Sequence, residues 1–189
     1  MSETHPKTEA SAKAPRWALW LPLALFAVFV GLVGYNLVRP ASTDVPSRFI
    51  GQPLPQFDLP AAAADRPGLS RAQMADGKPR LLNIFASWCI PCAVESPQLK
   101  ALAESGAEID GIAIRDHQQD LAVFLARNGN PYTRIGADDV SAVQLAIGSS
   151  GVPETFVIDG KGVIRYQHIG DIRPEHVPML LAKLREAGQ

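Results

Sequence analysis

The sequence predicts an α/β sandwich with a mixed β-sheet, preceded by one N-terminal transmembrane helix. Three observations lead to this expectation. Short apolar runs alternate with helical segments between residues 80 and 187, a Gly-rich tetrapeptide joins two of those runs, and a long uncharged apolar stretch lies near the start of the chain. The tetrapeptide predicts a hairpin, and a hairpin pairs its strands antiparallel, so the sheet is expected to be mixed.

The transmembrane helix is predicted over residues 17–38. This segment contains no ionisable acid or base other than Tyr35, and as a helix it spans about 33 Å, enough for one membrane crossing. A cleaved secretory signal would have a shorter apolar region followed by a small-x-small site, whereas this segment runs into Arg39-Pro40. We therefore expect an uncleaved signal-anchor.

The flanking charges predict the orientation of this helix. Lys7, Lys13 and Arg16 precede it while Arg39 and Arg48 follow it, so the positive-inside rule places the N-terminal tail in the cytoplasm. The domain with both cysteines then lies outside the bacterial inner membrane, in an oxidising compartment.

These features divide the chain into four segments. The expected segments are a disordered cytoplasmic tail (1–16), the transmembrane helix (17–38), a tether (39–47) and one globular domain (48–189).

The charge balance bears on the class of partner. With 18 basic and 19 acidic side chains, the net charge of −1 gives no reason to expect nucleic acid as a partner.

The most informative motif is Trp88-Cys-Ile-Pro-Cys92, which contains both cysteines of the chain. Any disulfide within one molecule must therefore join Cys89 to Cys92. A structural disulfide that closes so short a loop stabilises the fold little. A structural zinc site needs four ligands, whereas the chain has no second cysteine pair and only four scattered histidines. The motif favours redox exchange over a metal site or a structural disulfide.

The local pattern places this motif between a strand and a helix. Residues 80–87 form a short apolar run typical of a buried strand, and Pro91 suits the first turn of a following helix. Cys89 should then lie at the helix N-terminus, where unpaired amides favour a thiolate, and Cys92 one turn further in and less exposed.

Apolar runs, helical periodicity and turn residues predict the remaining elements. They are a strand over 109–114, a helix over 120–128, strands over 155–158 and 163–168 joined by Asp-Gly-Lys-Gly (159–162), and a final helix from about 174 to 187.

Several motifs resemble those of the thioredoxin superfamily, and within it the membrane-anchored thiol:disulfide reductases of cytochrome c maturation, the DsbE/CcmG type. Besides the strand that leads into WCxxC, they are IGQPLPQF (50–57), NPY (130–132), GVPETF (151–156), IDG (158–160) and IRYQHIGD (164–171). The resemblance covers residue 48 to the C-terminus. It implies a thioredoxin-like three-layer sandwich in the periplasm.

The resemblance also implies roles for residues near the cysteines. Pro153 would be the cis-proline opposite the active site, with Val152 before it offering backbone groups to a substrate peptide in the manner of β-augmentation. Without the resemblance we would expect a trans proline in a loop. Trp88 would contact substrate, although a packing role fits this residue as well.

One position departs from ordinary thioredoxins. Where those proteins have a buried aspartate six residues before the first cysteine, this chain has Asn83, which cannot titrate. Glu95 and Glu154 match acidic positions of the DsbE/CcmG type and are the candidates for proton transfer and for tuning the thiol pKa. The alternative for Glu95 is a solvated residue on the helix surface. Tyr132 and Tyr166 fit half-buried positions.

The expected activity is dithiol exchange, with Cys89 as nucleophile and Cys92 as resolving thiol and with no metal or bound cofactor. By resemblance, the substrate is apocytochrome c or a maturation protein, and a DsbD/CcdA-like transmembrane carrier returns the electrons. Two alternatives stay open. One is a general extracytoplasmic thioredoxin-like reductase, and the other is an apocytochrome-binding module in which the cysteines are secondary.

Overall fold

The computed structural model describes residues 20–38 and 48–189, with residues 36–38 described by their backbone alone. Helix α1 (Leu21–Val38) belongs to one compact unit, and every element from residue 48 onward belongs to a second. Within the described part of the chain, no helix meets the length and apolarity needed to cross a membrane. The predicted tail (1–16), the first three residues of the predicted span and the tether (39–47) lie outside the described residues.

The second unit alternates strands and helices in the expected manner. Its elements are β1 (Asp58–Leu59), β2 (Leu69–Ser70), a 3-10 turn (Gln73–Ala75), β3 (Arg80–Phe85), α2 (Ile90–Glu104), β4 (Ile109–Ile114), α3 (Gln118–Asn128), β5 (Arg134–Asp138), α4 (Ala142–Ala146), β6 (Glu154–Ile158), β7 (Ile164–Ile169) and α5 (His176–Ala187).

The larger sheet of residues 48–189 has five strands in the order β5-β4-β3-β6-β7. Strand β3 pairs parallel with β4 and antiparallel with β6, and β6 pairs antiparallel with β7, so the predicted mixed sheet is confirmed. The hairpin over 159–162 is confirmed as well. All six residues of β3 are buried because this strand is central and covered on both faces.

Strand β5, helix α4 and the short β1–β2 pair were not predicted from the sequence. Strand β5 has no continuous apolar run, since Arg134 and Asp138 begin and end it. Its conformation depends on pairing with β4 on one side and with the segment around Ala61 on the other. Long-range pairing of this kind leaves no periodic signal in the sequence.

A buried charge cluster lies at the start of β3. The Arg80 guanidinium is fully buried, and it forms ion pairs with the carboxylates of Asp76, Glu108 and Asp110 at 2.6, 2.8 and 2.9 Å. Asp110 is itself fully buried on the neighbouring strand, so each charge compensates the burial of the other.

Replacing Arg80 with alanine should lower the free energy of unfolding by about 3 to 5 kcal/mol, because the buried Asp110 carboxylate loses its nearest cation. Denaturant unfolding followed by circular dichroism measures this loss. Lys100→Ala is the control, since Lys100 pairs with Glu104 at 3.8 Å on the surface and its removal should cost less than about 1 kcal/mol. Equal stability of the two variants would contradict the prediction.

Candidate active site

The two cysteines form a disulfide in the connection between β3 and α2. Cys89 caps the N-terminus of α2, and its Sγ accepts a hydrogen bond from the Cys92 amide at 3.2 Å. Pro91 occupies the first turn of the helix, where no amide hydrogen is needed. The predicted placement of Cys89 at a helix N-terminus is confirmed.

The disulfide is nearly buried, but apolar side chains around it are exposed. Cys89 is 5% exposed and Cys92 only 2%, which agrees with the expectation that Cys92 lies deeper. Ile90, by contrast, is 79% exposed, and Trp88 and Val94 are also mostly exposed. An apolar surface beside a reactive sulfur is suited to contact another protein.

The peptide bond between Val152 and Pro153 is cis, as the resemblance implied. Pro153 is buried and directly precedes β6. Because β6 runs antiparallel to β3 with Glu154 opposite Ile84, the start of β6 lies beside the end of β3. The cis-proline and the connection that carries the disulfide therefore lie at the same end of the sheet, where β3 ends and β6 begins.

Glu95 lies one turn after Cys92 on α2 and is fully buried. Its Oε1 accepts a hydrogen bond from Asn83 Nδ2 at 3.0 Å, and its Oε2 accepts one from the Ile172 amide at 2.9 Å. Burial raises the pKa of Glu95 from 4.5 to about 7, although both hydrogen bonds oppose the rise. The alternative interpretation, a solvated helix residue, is wrong.

Asn83 connects Glu95 to the rest of the buried polar network. Besides its bond to Glu95, its amide nitrogen donates to Thr155 Oγ1 at 3.0 Å, and its oxygen accepts from the Tyr132 hydroxyl at 2.7 Å. Strand β3 thus lacks the aspartate that ordinary thioredoxins have at the position of Asn83. A carboxyl group from α2, that of Glu95, contacts the Asn83 side chain instead.

Tyr132 is buried, not half-buried as the sequence suggested. Its ring stacks on Phe85 with centroids 4.5 Å apart. Gly111 makes this packing possible, because a Cβ at that position would lie 2.8 Å from the Phe85 ring and 3.0 Å from the Tyr132 ring. Burial, and secondarily the charge of Glu95, raises the pKa of Tyr132 well above its ordinary value, so the hydroxyl stays a donor.

Glu154 is also buried, in a second network. Its Oε1 accepts hydrogen bonds from the amide and the hydroxyl of Ser150 at 2.9 and 2.6 Å, and its Oε2 accepts one from Gln167 Nε2 at 2.8 Å. Only its backbone carbonyl approaches Asn83, at 3.5 Å. Among the hydrogen bonds of residues 48–189, none joins either carboxylate to a cysteine sulfur.

A family model described as Redoxin matches residues 49–184, which is most of the chain. The chain belongs to the Redoxin family. It is similar to the thiol:disulfide interchange protein DsbE of Pseudomonas fluorescens biotype C, which is 42% identical over 83% of this chain and 86% of the relative. HelX of Rhodobacter capsulatus is 38% identical over 87% and 95%, and DsbE of Escherichia coli K12 is 37% identical over 84% and 88%.

Solved structures share the fold of this chain. A crystal structure described as a DsbE-type thiol:disulfide interchange protein of Chlorobium tepidum has a TM-score of 0.60 and 25% identity, and the match covers 74% of this chain and 98% of that one. A secreted disulfide oxidoreductase of Mycobacterium tuberculosis shares the fold at a TM-score of 0.57 and 19% identity, over 69% and 96%. The thioredoxin-like fold and the DsbE resemblance are confirmed, and the chain is a thiol:disulfide oxidoreductase.

The hydrogen-bond partners of Glu95 and Glu154 in this Redoxin site were not predicted from the sequence. Gln167, a partner of Glu154, lies within the IRYQHIGD motif, which could have pointed to it. Ser150 and the Ile172 amide carry no such signal, because an amide or a serine becomes a partner only through its position in the fold.

The raised pKa of Glu95 gives the oxidised protein a specific pH dependence. Well below pH 4.5 the group is protonated in both the folded and the unfolded state, and well above pH 7 it is ionised in both. In between, the folded state retains the proton more strongly, so the free energy of unfolding should fall as pH rises, by about 3 kcal/mol.

Denaturant unfolding at pH 4.5, 6 and 8 measures this fall. Glu95→Gln should remove the Glu95 component of the slope, while Glu104→Gln, an exposed residue of the same helix, should retain it. A Glu95→Gln variant whose stability follows that of the parent protein at all three pH values would refute the assignment.

Proposed function

We propose that this chain is a membrane-anchored periplasmic thiol:disulfide oxidoreductase that reduces disulfides in apocytochrome c or in its maturation partners through Cys89 and Cys92. The observation on which this proposal rests is the disulfide at the N-terminus of α2, with buried Glu95 one turn further along the same helix. A nucleophile and a nearby group that can exchange protons are the two elements that dithiol exchange requires.

The reaction transfers two electrons and two protons to the partner. The Cys89 thiolate attacks one sulfur of the partner disulfide, which forms a mixed disulfide and releases the partner's second sulfur as a thiolate that takes up a proton. Cys92 then loses its proton and attacks Cys89 Sγ. This step releases the partner's remaining sulfur as a thiolate, which takes up the second proton to complete the dithiol, and it leaves the Cys89–Cys92 disulfide.

Glu95 is the proposed acceptor of the Cys92 proton. It follows Cys92 by three residues on α2, so both side chains lie on one face of the helix. A carboxyl with a pKa of about 7 is populated in both protonation states near neutral pH, which lets it accept and return a proton. Asn83 holds the carboxylate in place without competing for the proton.

The partner is proposed to bind along the exposed surface beside the sulfur. Val152 and Pro153 would pair with an extended substrate segment through their backbone, and Trp88 would contact its side chains. The exposed positions of Trp88 and Ile90 support this role, since neither side chain is used to fill the core.

The cytochrome c assignment rests on sequence motifs. GVPETF and IRYQHIGD, together with the names DsbE and HelX of the relatives, support a substrate that is an oxidised Cys-x-x-Cys segment of apocytochrome c or a protein that handles it. Re-reduction requires a donor on the same side of the membrane, for which a DsbD/CcdA-like transmembrane carrier is proposed.

The anchor is proposed from the uncharged segment 17–38, part of which forms helix α1. The described side chains of α1 are apolar and exposed, as a lipid-facing helix requires. A short tether would keep the domain near a membrane-bound assembly and raise the local concentration of its partners to about the millimolar range.

Cys92→Ala should accumulate a mixed disulfide between Cys89 and its partner, because the second attack cannot occur. Non-reducing gel electrophoresis of cells that produce the full chain, followed by mass spectrometry of the adducts, detects it. Cys89→Ala is the matched control and should give no adduct. Adducts that form equally with both variants would contradict the assigned order of attack.

The identity of the trapped partner separates the specific function from its alternatives. Apocytochrome c or a maturation protein supports the proposal, whereas a broad set of unrelated proteins indicates a general reductase. Restoration of holocytochrome c in a deletion strain by the Cys89→Ala/Cys92→Ala double variant would indicate a binding module instead.

Glu154→Gln tests whether the second buried acid acts on the thiol. If the Glu154 carboxylate opposes ionisation of Cys89, its removal should move the pH profile of Cys89 alkylation in the reduced protein to lower pH. Glu104→Gln should leave the profile unchanged. An unchanged profile in Glu154→Gln would show that the two groups are not coupled.

A further inference from the structure

Ser87 and Trp88, which precede Cys89, form hydrogen bonds with Arg115 and Asp116, which follow β4. The Ser87 amide and hydroxyl donate to the two carboxylate oxygens of Asp116 at 2.5 and 2.6 Å. The Trp88 indole nitrogen donates to the Arg115 carbonyl at 3.2 Å. The strand ends at Phe85 and the helix begins at Ile90, so these contacts lie in the middle of the connection that presents the sulfur.

The Arg115–Asp116 segment is itself held by contacts with β5 and with the residue before α4. Arg115 has a φ of +46°, a conformation that non-glycine residues adopt only when their surroundings impose it. Its amide donates to the Asp138 carbonyl at 3.3 Å, and its Nε donates to Ser141 Oγ at 2.9 Å. These contacts turn the Arg115 carbonyl towards Trp88 and the Asp116 carboxylate towards Ser87.

We propose that Asp116 is a positioning residue for the thiol site: by holding Ser87 through two hydrogen bonds, it fixes the orientation of Trp88 and thereby the surface that guides a polypeptide disulfide to Cys89. Charged hydrogen bonds of this geometry are short and directional, so the connection can take few other conformations while both are formed. A small disulfide needs only an accessible sulfur, whereas a peptide must also fit against Trp88. This inference rests on the proposed role of Cys89 as the nucleophile.

The test compares two substrates of the reduced full-length protein. One is a peptide with an internal Cys-x-x-Cys disulfide, and the other is the small neutral molecule 2-hydroxyethyl disulfide. The ratio of the two second-order rate constants does not depend on the ionised fraction of Cys89, because the same thiolate attacks both substrates. This ratio therefore reports on positioning and not on the thiol pKa.

Asp116→Ala should lower the ratio by about tenfold. Asp116→Asn, whose side-chain oxygen can still accept one bond, and Ser87→Ala, which keeps the amide bond, should each lower it by a smaller factor. Asp139→Asn is the matched control, since Asp139 is exposed and lines the same cavity of about 260 Å³ as Asp116. It removes a nearby charge without touching Ser87 and should leave the ratio unchanged.

An Asp116→Ala ratio equal to that of Asp139→Asn would overturn the inference, as would an equal fall in both rate constants. If Asp116→Ala does not fold, the ratios of Asp116→Asn and Ser87→Ala decide in the same way. Failure of the parent protein itself to reduce either substrate would instead refute the proposed role of Cys89, so the two outcomes are distinguishable.

Discussion

The hydrogen bond from the Asn83 amide to the Glu95 carboxylate is the contact on which the site depends. A carboxylate without exposed surface is costly, and it can be ionised there only because donors replace the lost water. The Ile172 amide supplies the second donor from the loop before α5. Since Asn83 is neutral and Tyr132 stays protonated, Glu95 is the group of this network whose pKa lies near neutral pH.

The register of the sheet brings these groups together from distant parts of the chain. Asn83 lies opposite Gly111 on β4 and opposite Thr155 on β6. The glycine leaves room for the Tyr132 ring, and the threonine presents its hydroxyl to the Asn83 amide. A shift of one residue in either pairing would turn the side chains to the other face of the sheet and separate the network.

The fold class, the hairpin and the position of Cys89 could be predicted because they depend on local patterns: an apolar run, a Gly-rich turn and a proline after a cysteine. The cis bond at Pro153 came only from the resemblance, since nothing local to Val152 favours it over trans. Strand β5, the burial of Tyr132 and the contact of Asp116 with Ser87 could not be predicted. Each is decided by residues more than twenty positions away, and such contacts leave no periodicity in the sequence.

The Arg80 ion cluster lies at the opposite end of β3 from the disulfide connection. The ion pairs that stabilise β3 are thus at its first residue, and the redox-active disulfide follows its last. Substitutions in the ion cluster should therefore change the free energy of unfolding of the domain and leave its disulfide exchange unchanged. This separation makes the first residues of β3 the place to engineer a more durable form of the protein while its reactivity is left alone.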